Sequence, residues 1–372
     1  MPQIKKTIGS LDFNLHPLRV SNKADECRPY FEVAFSVLEE NLESAVHLVC
    51  EILLNTDYTR SDMIKENLLQ CSEELYQGVM SAGHRFAISR ALTSTSALAV
   101  YQEMSDGFEL YKFLEKLVKN YDENAAELAE YLKMRSGEIF TSARLTVSET
   151  SDKKHSSLSR IQTLLPEGKA VLETAKIPLK NEPVKEAILI PSGVSYAAYG
   201  SNLLPCGFAY EGKLTVTALL LTYGYLWNEI RVHGGAYGCG FRAGVNSNAT
   251  FHSYRDPSPL NSVEVYKNTA AFIKEFVESE ESVEKYIISS IAATEGLLST
   301  EKQGAAADVN FLTGYTYEDK YKTREQMLTL KKEELLDLCT MFEKMKEKAS
   351  VCVVGNADAL KSLDESWKEY QL

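Results

Sequence analysis

Twice along this chain a stretch of strand character gives way to a train of amphipathic helices, and the two trains begin about 220 residues apart. In the first copy, "IGSLDFNLHPLRV" and "RPYFEVAFSVLEEN" alternate as strands do. "NLESAVHLVCEILLNT" then gathers Leu42, Ala45, Val46, Val49 and Leu53 on one helical face. A long helix is expected over "YTRSDMIKENLLQCSEELYQGVMS", opened by a capping-box-like Thr59-x-x-Asp62. Further helices follow to about Phe140, with a break near Tyr121–Asp122, and "SARLTVSET" (142–150) reads as a closing strand. The second copy has strands in "EAILIPSGVSYAAYGSNL", a long buried helix over Lys213–Ile230, a hairpin turning at "NSNA", a helix pair, and a final helix and strand.

Strands first and helices after is the order of an α+β layer. The expected fold is two homologous α+β domains, each an antiparallel-rich sheet with helices packed on one face. The expected boundaries are 1–150, a polar, proline-bearing linker over 151–184, and 185–372. The first copy starts abruptly, which predicts that strands of that unit lie upstream of residue 1.

Composition narrows the function classes. Fifty-two acidic against forty basic residues give a net charge of −12. That argues against general binding of nucleic acid or anionic membrane, which needs basic patches. The most apolar stretch, "LTVTALLLTYGYLW", is too short and too interrupted to span a bilayer. The first residues lack the apolar core of a secretory signal. Seven scattered cysteines without a CxxC pair suit a reducing compartment, and a cytoplasmic location is expected.

Most sites that could carry chemistry fail on spacing. No two of the six histidines lie within five positions, so the zinc helices HExxH and HxxEH are both absent. His47 and Glu51 share a helix face without a second histidine. His233, Cys239 and His252 could meet across the hairpin but offer no tight ligand pair. "GVSYA" around Ser195 lacks the second glycine and the helix of a nucleophile elbow. "GGAYGCG" and "EGKLT" lack the strand-to-helix context of a phosphate loop.

"RVHGGAYG" is left. Arg231 ends a helix, where its charge suits the dipole, and Gly234–Gly235 permit a left-handed turn. Tyr237 opens the next strand. One reading is structural: a capped helix, a packed tyrosine and close-packing glycines. The other is chemical: a guanidinium and a phenol fixed by a rigid turn, able to donate to a peptide carbonyl or an oxyanion.

The segments "IRVHGGAYGCGF" and "FHSYRDPSPLNSVEVYKNTAAFI" resemble the C-terminal half of the pitrilysin/insulinase metallopeptidases, in the presequence-protease branch. "PYFEVAFSVLEENLESAVHLVCEILLNTDYTRSDMIKENLLQ" and "SAGHRFAISRA" are similar to the third of that family's four α+β domains. The resemblance covers nearly the whole chain. It implies a clamshell peptidase in which zinc sits in the N-terminal half, on an HxxEH helix and a downstream glutamate. An arginine and a tyrosine of the C-terminal half then bind the substrate backbone, at positions matching Arg231 and Tyr237, with Gly234 and Gly235 between them. On this resemblance the chain begins inside the third domain. It is the substrate-binding half, without metal and inactive alone. Its partners are a zinc-bearing N-terminal half of the same enzyme and unfolded peptides, not nucleic acid or membrane. The alternative is a separately encoded, non-catalytic subunit that pairs with a zinc-bearing one. An unrelated two-domain binding protein is the third reading.

Overall fold

The computed structural model describes residues 2–170 and 174–372. Positions 171–173 of the expected linker, and Met1, lie outside the described residues.

A short helix α1 (Pro2–Thr7) leads into a long hairpin of β1 (Ser10–Val20) and β2 (Lys23–Ser36). β3 (Ala175–Lys176) pairs antiparallel with β2 to complete a three-stranded sheet, so the expected linker adds a strand to it. Helix α2 (Leu42–Asn55) buries Leu42, Ala45, Val46 and Val49, four of the five residues on its expected face, and seats Ala45 and Val49 against Val33 and Phe35 of the hairpin. α3 (Ser61–Leu92), α4 (Ala97–Asp106), α5 (Phe108–Lys119) and α6 (Tyr121–Ile139) follow, with the α5–α6 break where the sequence placed it.

Two local expectations are corrected. Thr59 does not cap α3: its amide and hydroxyl both donate to Asp57, and the helix begins at Ser61 without a side-chain cap. The stretch 142–150 is not a strand. It holds a single 3-10 turn, Ser142–Arg144, and then runs on with no partner strand among the described residues. The Ser148 hydroxyl instead donates to Asp308 of a later helix.

After α7 (Ile161–Leu164) the chain builds a six-stranded sheet from β4 (Lys185–Leu189), β5 (Tyr196–Asn202), β6 (Gly238–Ala243), β7 (Asn248–Tyr254), β8 (Ser350–Gly355) and β9 (Lys368–Gln371). The spatial order is β6-β7-β5-β8-β4-β9. β4 lies parallel to β8 and β9, and the remaining neighbours are antiparallel. The helices of this half are α8 (Gly212–Leu219) with a π-helical continuation (Leu220–His233), α9 (Pro259–Lys267), α10 (Thr269–Glu278), α11 (Glu284–Thr294), α12 (Thr300–Thr313), α13 (Tyr317–Leu328) and α14 (Leu336–Lys346).

The period of two along each strand divides the sheet's side chains between two cores. Tyr199, Phe241, Phe251 and Val353 face α8, its continuation, α9, α10 and α14. Ile188, Tyr196, Ala198 and Val354 face α3 and α5, meeting Val79, Phe86, Phe108 and Tyr111. Full burial of such a side chain stabilises by about 1.5–3 kcal/mol. α3 lies flat on this sheet because Gly83 offers no side chain: a Cβ there would stand 2.5 Å from the Tyr196 ring. The helix kinks one residue earlier, at Ala82 (φ −134°, ψ 35°). Tyr196 donates its hydroxyl to the Met80 carbonyl at 2.9 Å, giving that acceptor a partner beside the kink.

A polar cluster ties α3 to the sheet. Arg90, with 6% of its side chain exposed, donates both arms of its guanidinium to Glu186 of β4 at 2.7 Å. It also reaches Glu109 at 2.6 Å, Glu103 at 3.3 Å and the Tyr370 hydroxyl of β9 at 3.2 Å. Burial drives the Glu103 carboxyl above the usual carboxylate range despite Arg90. Burial also pushes Glu109 up, but the hydrogen bond and charge of Arg90, with Lys112 adding to them, outweigh it and this carboxyl falls below that range.

Candidate functional site

The helix Gly212–His233 is α-helical for its first eight residues and π-helical for the next fourteen. π winding is uncommon and recurs at functional sites. It ends on the two glycines. A Cβ on Gly234 would stand 2.6 Å from the Ile230 carbonyl oxygen, and Gly235 takes φ +79°. The Gly235 amide donates to the Arg231 carbonyl and the Ala236 amide to the Ile230 carbonyl, both at 3.1 Å. This is the glycine-dependent close of a helix that the sequence suggested.

Past the turn, the Tyr237 amide donates to the carbonyls of Tyr254 (3.1 Å) and Arg255 (3.2 Å). The Tyr237 ring meets Tyr254 edge-on, 5.9 Å between centroids. The Arg231 guanidinium lies 4.0 Å from the centroid of the Trp227 ring, one turn back, and 5.8 Å from that of Tyr237. Arg231 and Tyr237 are therefore neighbours in space. Arg231 is half-buried, while Tyr237 is 67% exposed. Neither is enclosed in a core, and both present donors to the outside. The tryptophan face restrains the cation by charge–quadrupole attraction without consuming its N–H groups.

"SYRDP" supplies the other wall. The Ser253 hydroxyl accepts from the Ala197 amide at 3.2 Å. Asp256 is buried and accepts from the Ser258 amide (2.8 Å) and the Ser262 hydroxyl (2.6 Å), so it fixes the start of α9. Arg255 between them is held at φ +49°, a left-handed conformation that costs a non-glycine residue about 1–2 kcal/mol. That conformation turns its carbonyl to the Tyr237 amide. Its guanidinium lies 5.5 Å from the Tyr254 ring centroid.

The other candidates do not assemble. Cys239 pairs across the hairpin with Ser253 and His252 with Gly240, so alternation sends them to opposite faces of the sheet. His233 stays on the helix end, 69% exposed, beside Glu229. Burial lifts the Cys239 thiol to about 11 and, with Arg242 and His84 nearby, drops the His252 imidazole to about 3. Cys239 is therefore a protonated thiol and His252 a neutral ring near pH 7. His47 and Glu51 lie on the exposed face of α2. Ser195 is buried at the entry to β5, where its carbonyl accepts from the Asp256 amide. Gly212–Lys213 begin α8, packed on α13: the Gly212 amide donates to Gln326 at 2.7 Å. Among the described residues no three His, Cys, Asp or Glu side chains group closely enough to hold a metal. These residues do not fit a zinc ion, and no helix among them is long and apolar enough to cross a membrane.

Comparison with known proteins agrees with this architecture. Residues 185–357 match the family model "PreP C-terminal domain", and residues 2–117 match a family model for a region associated with the M16 peptidases of subfamily C. The protein HypA of Clostridium perfringens is 27% identical over 361 residues, covering 96% of this chain and 37% of that protein. Presequence protease 1 of Arabidopsis thaliana is 26% identical over 319 residues, covering 82% and 29%. This chain thus spans about a third of the length of those relatives. The crystal structure of pitrilysin superposes with a TM-score of 0.64 at 13% identity, over 98% of this chain and 38% of that one.

Proposed function

Because the chain belongs to the presequence-protease branch of the pitrilysin/insulinase (M16) peptidases, we propose that it is the substrate-binding, metal-free half of a zinc endopeptidase acting on extended, unfolded peptides. The observation that carries this reading is the Arg231–Tyr237 pair, brought together at the surface by a glycine turn and braced by Trp227. Arg231 offers charged N–H donors and Tyr237 a phenolic O–H, the groups that hold a peptide carbonyl and favour the negative charge it gains on attack. Both sit on rigid neighbours, a helix end and a strand start, so little reorganisation is needed when substrate arrives. Any catalytic zinc belongs to another half, on the same polypeptide or on a partner subunit, because the described residues here provide no ligand set.

Two measurements test the proposal. The isolated chain should bind unfolded peptides weakly and not hydrolyse them with zinc added. Robust, chelator-sensitive turnover by the chain alone would overturn the assignment. In the assembled peptidase, Arg231→Ala should lower kcat/KM by roughly a hundredfold or more, the loss seen when one oxyanion donor is removed. Unchanged kinetics would remove Arg231 from the mechanism.

A further inference from the structure

The helix that delivers Arg231 carries a line of exposed aromatic side chains leading away from it. Tyr223, Trp227 and Arg231 are spaced by four. The Tyr223 and Trp227 rings lie 5.9 Å apart at 40°, and Trp227 lies under the Arg231 guanidinium. Tyr223 is 58% exposed, a large aromatic surface left to solvent beside a well-packed core. At the far end opens a groove of about 580 Å³, lined by Leu219, Tyr223, Lys285, Tyr286, Ser289 and Ala293. The polar groups along its rim already have partners. Lys285 donates to Glu281 at 2.8 Å, and the Ser289 hydroxyl donates to the Lys285 carbonyl at 2.8 Å. What the groove offers a guest is therefore the Leu219 side chain, two tyrosine rings and the Ala293 methyl, surfaces that favour an apolar group over a charged one.

We propose that this groove is a subsite for an aromatic or branched apolar side chain of the bound peptide, remote from the peptide bond held by Arg231 and Tyr237. The inference rests on the peptide-binding reading of that pair and adds a side-chain preference to it. The spacing follows from the helix. Eight residues separate Tyr223 from Arg231, about 12 Å at an α-helical rise and less with π winding. An extended peptide advances about 3.3 Å per residue, so the groove lies about three to four residues from the held bond. The occupant is an extended strand because the feature is a ribbon one side chain wide. A folded partner would need a broad patch of about 800 Å².

The test uses the purified chain and dye-labelled peptides read by fluorescence anisotropy. The probes are alanine–serine peptides with one terminal phenylalanine followed by one to seven residues, and the same peptides with alanine in its place. Phenylalanine should tighten binding roughly tenfold, the effect of burying one such ring. Affinity should rise again once about three to four residues follow it, when the backbone reaches Arg231. Tyr223→Ala, which opens the groove, and Ala293→Trp, which fills it from an exposed position, should each abolish the phenylalanine advantage. Arg231→Ala should remove the length-dependent rise and leave that advantage in place. Equal binding of phenylalanine and alanine peptides, an advantage that survives Ala293→Trp, or no binding of either peptide at millimolar concentration would overturn the subsite. A length-dependent rise that persists in Arg231→Ala would sink the Arg231 reading on which the spacing depends, while the groove preference would still be read from the other two variants.

Discussion

Replacing Arg90 with methionine should be among the most damaging single changes in this chain away from its surface pair. The substitution keeps the volume of the stem but removes the cation shared by Glu103, Glu186 and Glu109. Glu109 is 43% exposed and can turn to water, but Glu103 and Glu186 are 2% and 9% exposed and cannot. Leaving buried charges uncompensated costs about 3–5 kcal/mol. At roughly 2 °C per kcal/mol for a large chain, Tm should fall by about 6–10 °C. The sign of the pH dependence is fixed as well. Without Arg90 both carboxyls hold protons in the folded state at pH values where they are ionised in the unfolded state. The folded form then binds more protons, so the variant loses stability as pH rises above the ordinary carboxylate pKa of about 4.3. The Tm difference from wild type should therefore be larger at pH 8 than at pH 5, read by scanning calorimetry at both values. Adding Glu186→Gln to Arg90→Met should recover part of the loss. The control is Arg85→Met. Its partner Asp106 lies at 2.8 Å, but both side chains are more than 60% exposed, so the cost is at most about 1 kcal/mol. If Arg90→Met lowers Tm no more than Arg85→Met does, or by the same amount at both pH values, the account of the cluster is wrong.

Three further outcomes are expected. Gly234→Ala must displace the Ile230 carbonyl and so unseat Arg231. It should weaken peptide binding as much as Arg231→Ala does, measured by the same titration, and an unaffected affinity would mean that the turn does not position the arginine. Trp227→Leu should weaken binding several-fold with little change in Tm, because an exposed cation–π contact is worth about 0.5–1 kcal/mol; a loss confined to stability would count against its positioning role. His252, whose folded value of about 3 lies below the ordinary 6.5, adds stability that is present above pH 6.5 and lost as pH falls from there toward 3. His252→Gln should therefore flatten the acid limb of a Tm-against-pH curve, and an unchanged slope would show that this histidine does not set it.

Local patterns were legible in the sequence where local physics decides them. The apolar face of α2, the break before Tyr121 and the glycine turn after Arg231 all follow from spacing and backbone freedom. What depends on distant partners was not. Residues 142–150 alternate like a strand, but no edge lies beside them, and they settle along α12 instead. Thr59 has the spacing of a cap, yet Asp57 competes for it successfully. Nothing within Ser61–Leu92 announces that this helix buries its face against a sheet begun nearly a hundred residues later. The nearest hint is Arg90 itself, a cation on an apolar face that needs an acid from elsewhere. Arg231 and Tyr237 could be named from their motif. Trp227 was missed, although its i,i+4 spacing from Arg231 was in plain view, because an aromatic in an apolar helix reads first as core.

The π winding carries a consequence for how this site tolerates change in chain length. Each wide turn holds more chain than an α-turn needs. Deleting one residue between Leu220 and Ile230 would leave the helix able to persist by tightening toward α geometry. Everything beyond the deletion would then swing about the axis by about 100°, one residue's worth of α-helical rotation. The core would lose little, but Arg231 would swing off Trp227 and away from Tyr237. In this helix a gap, more than any point substitution, is the change that would separate a folded chain from a chemically competent one.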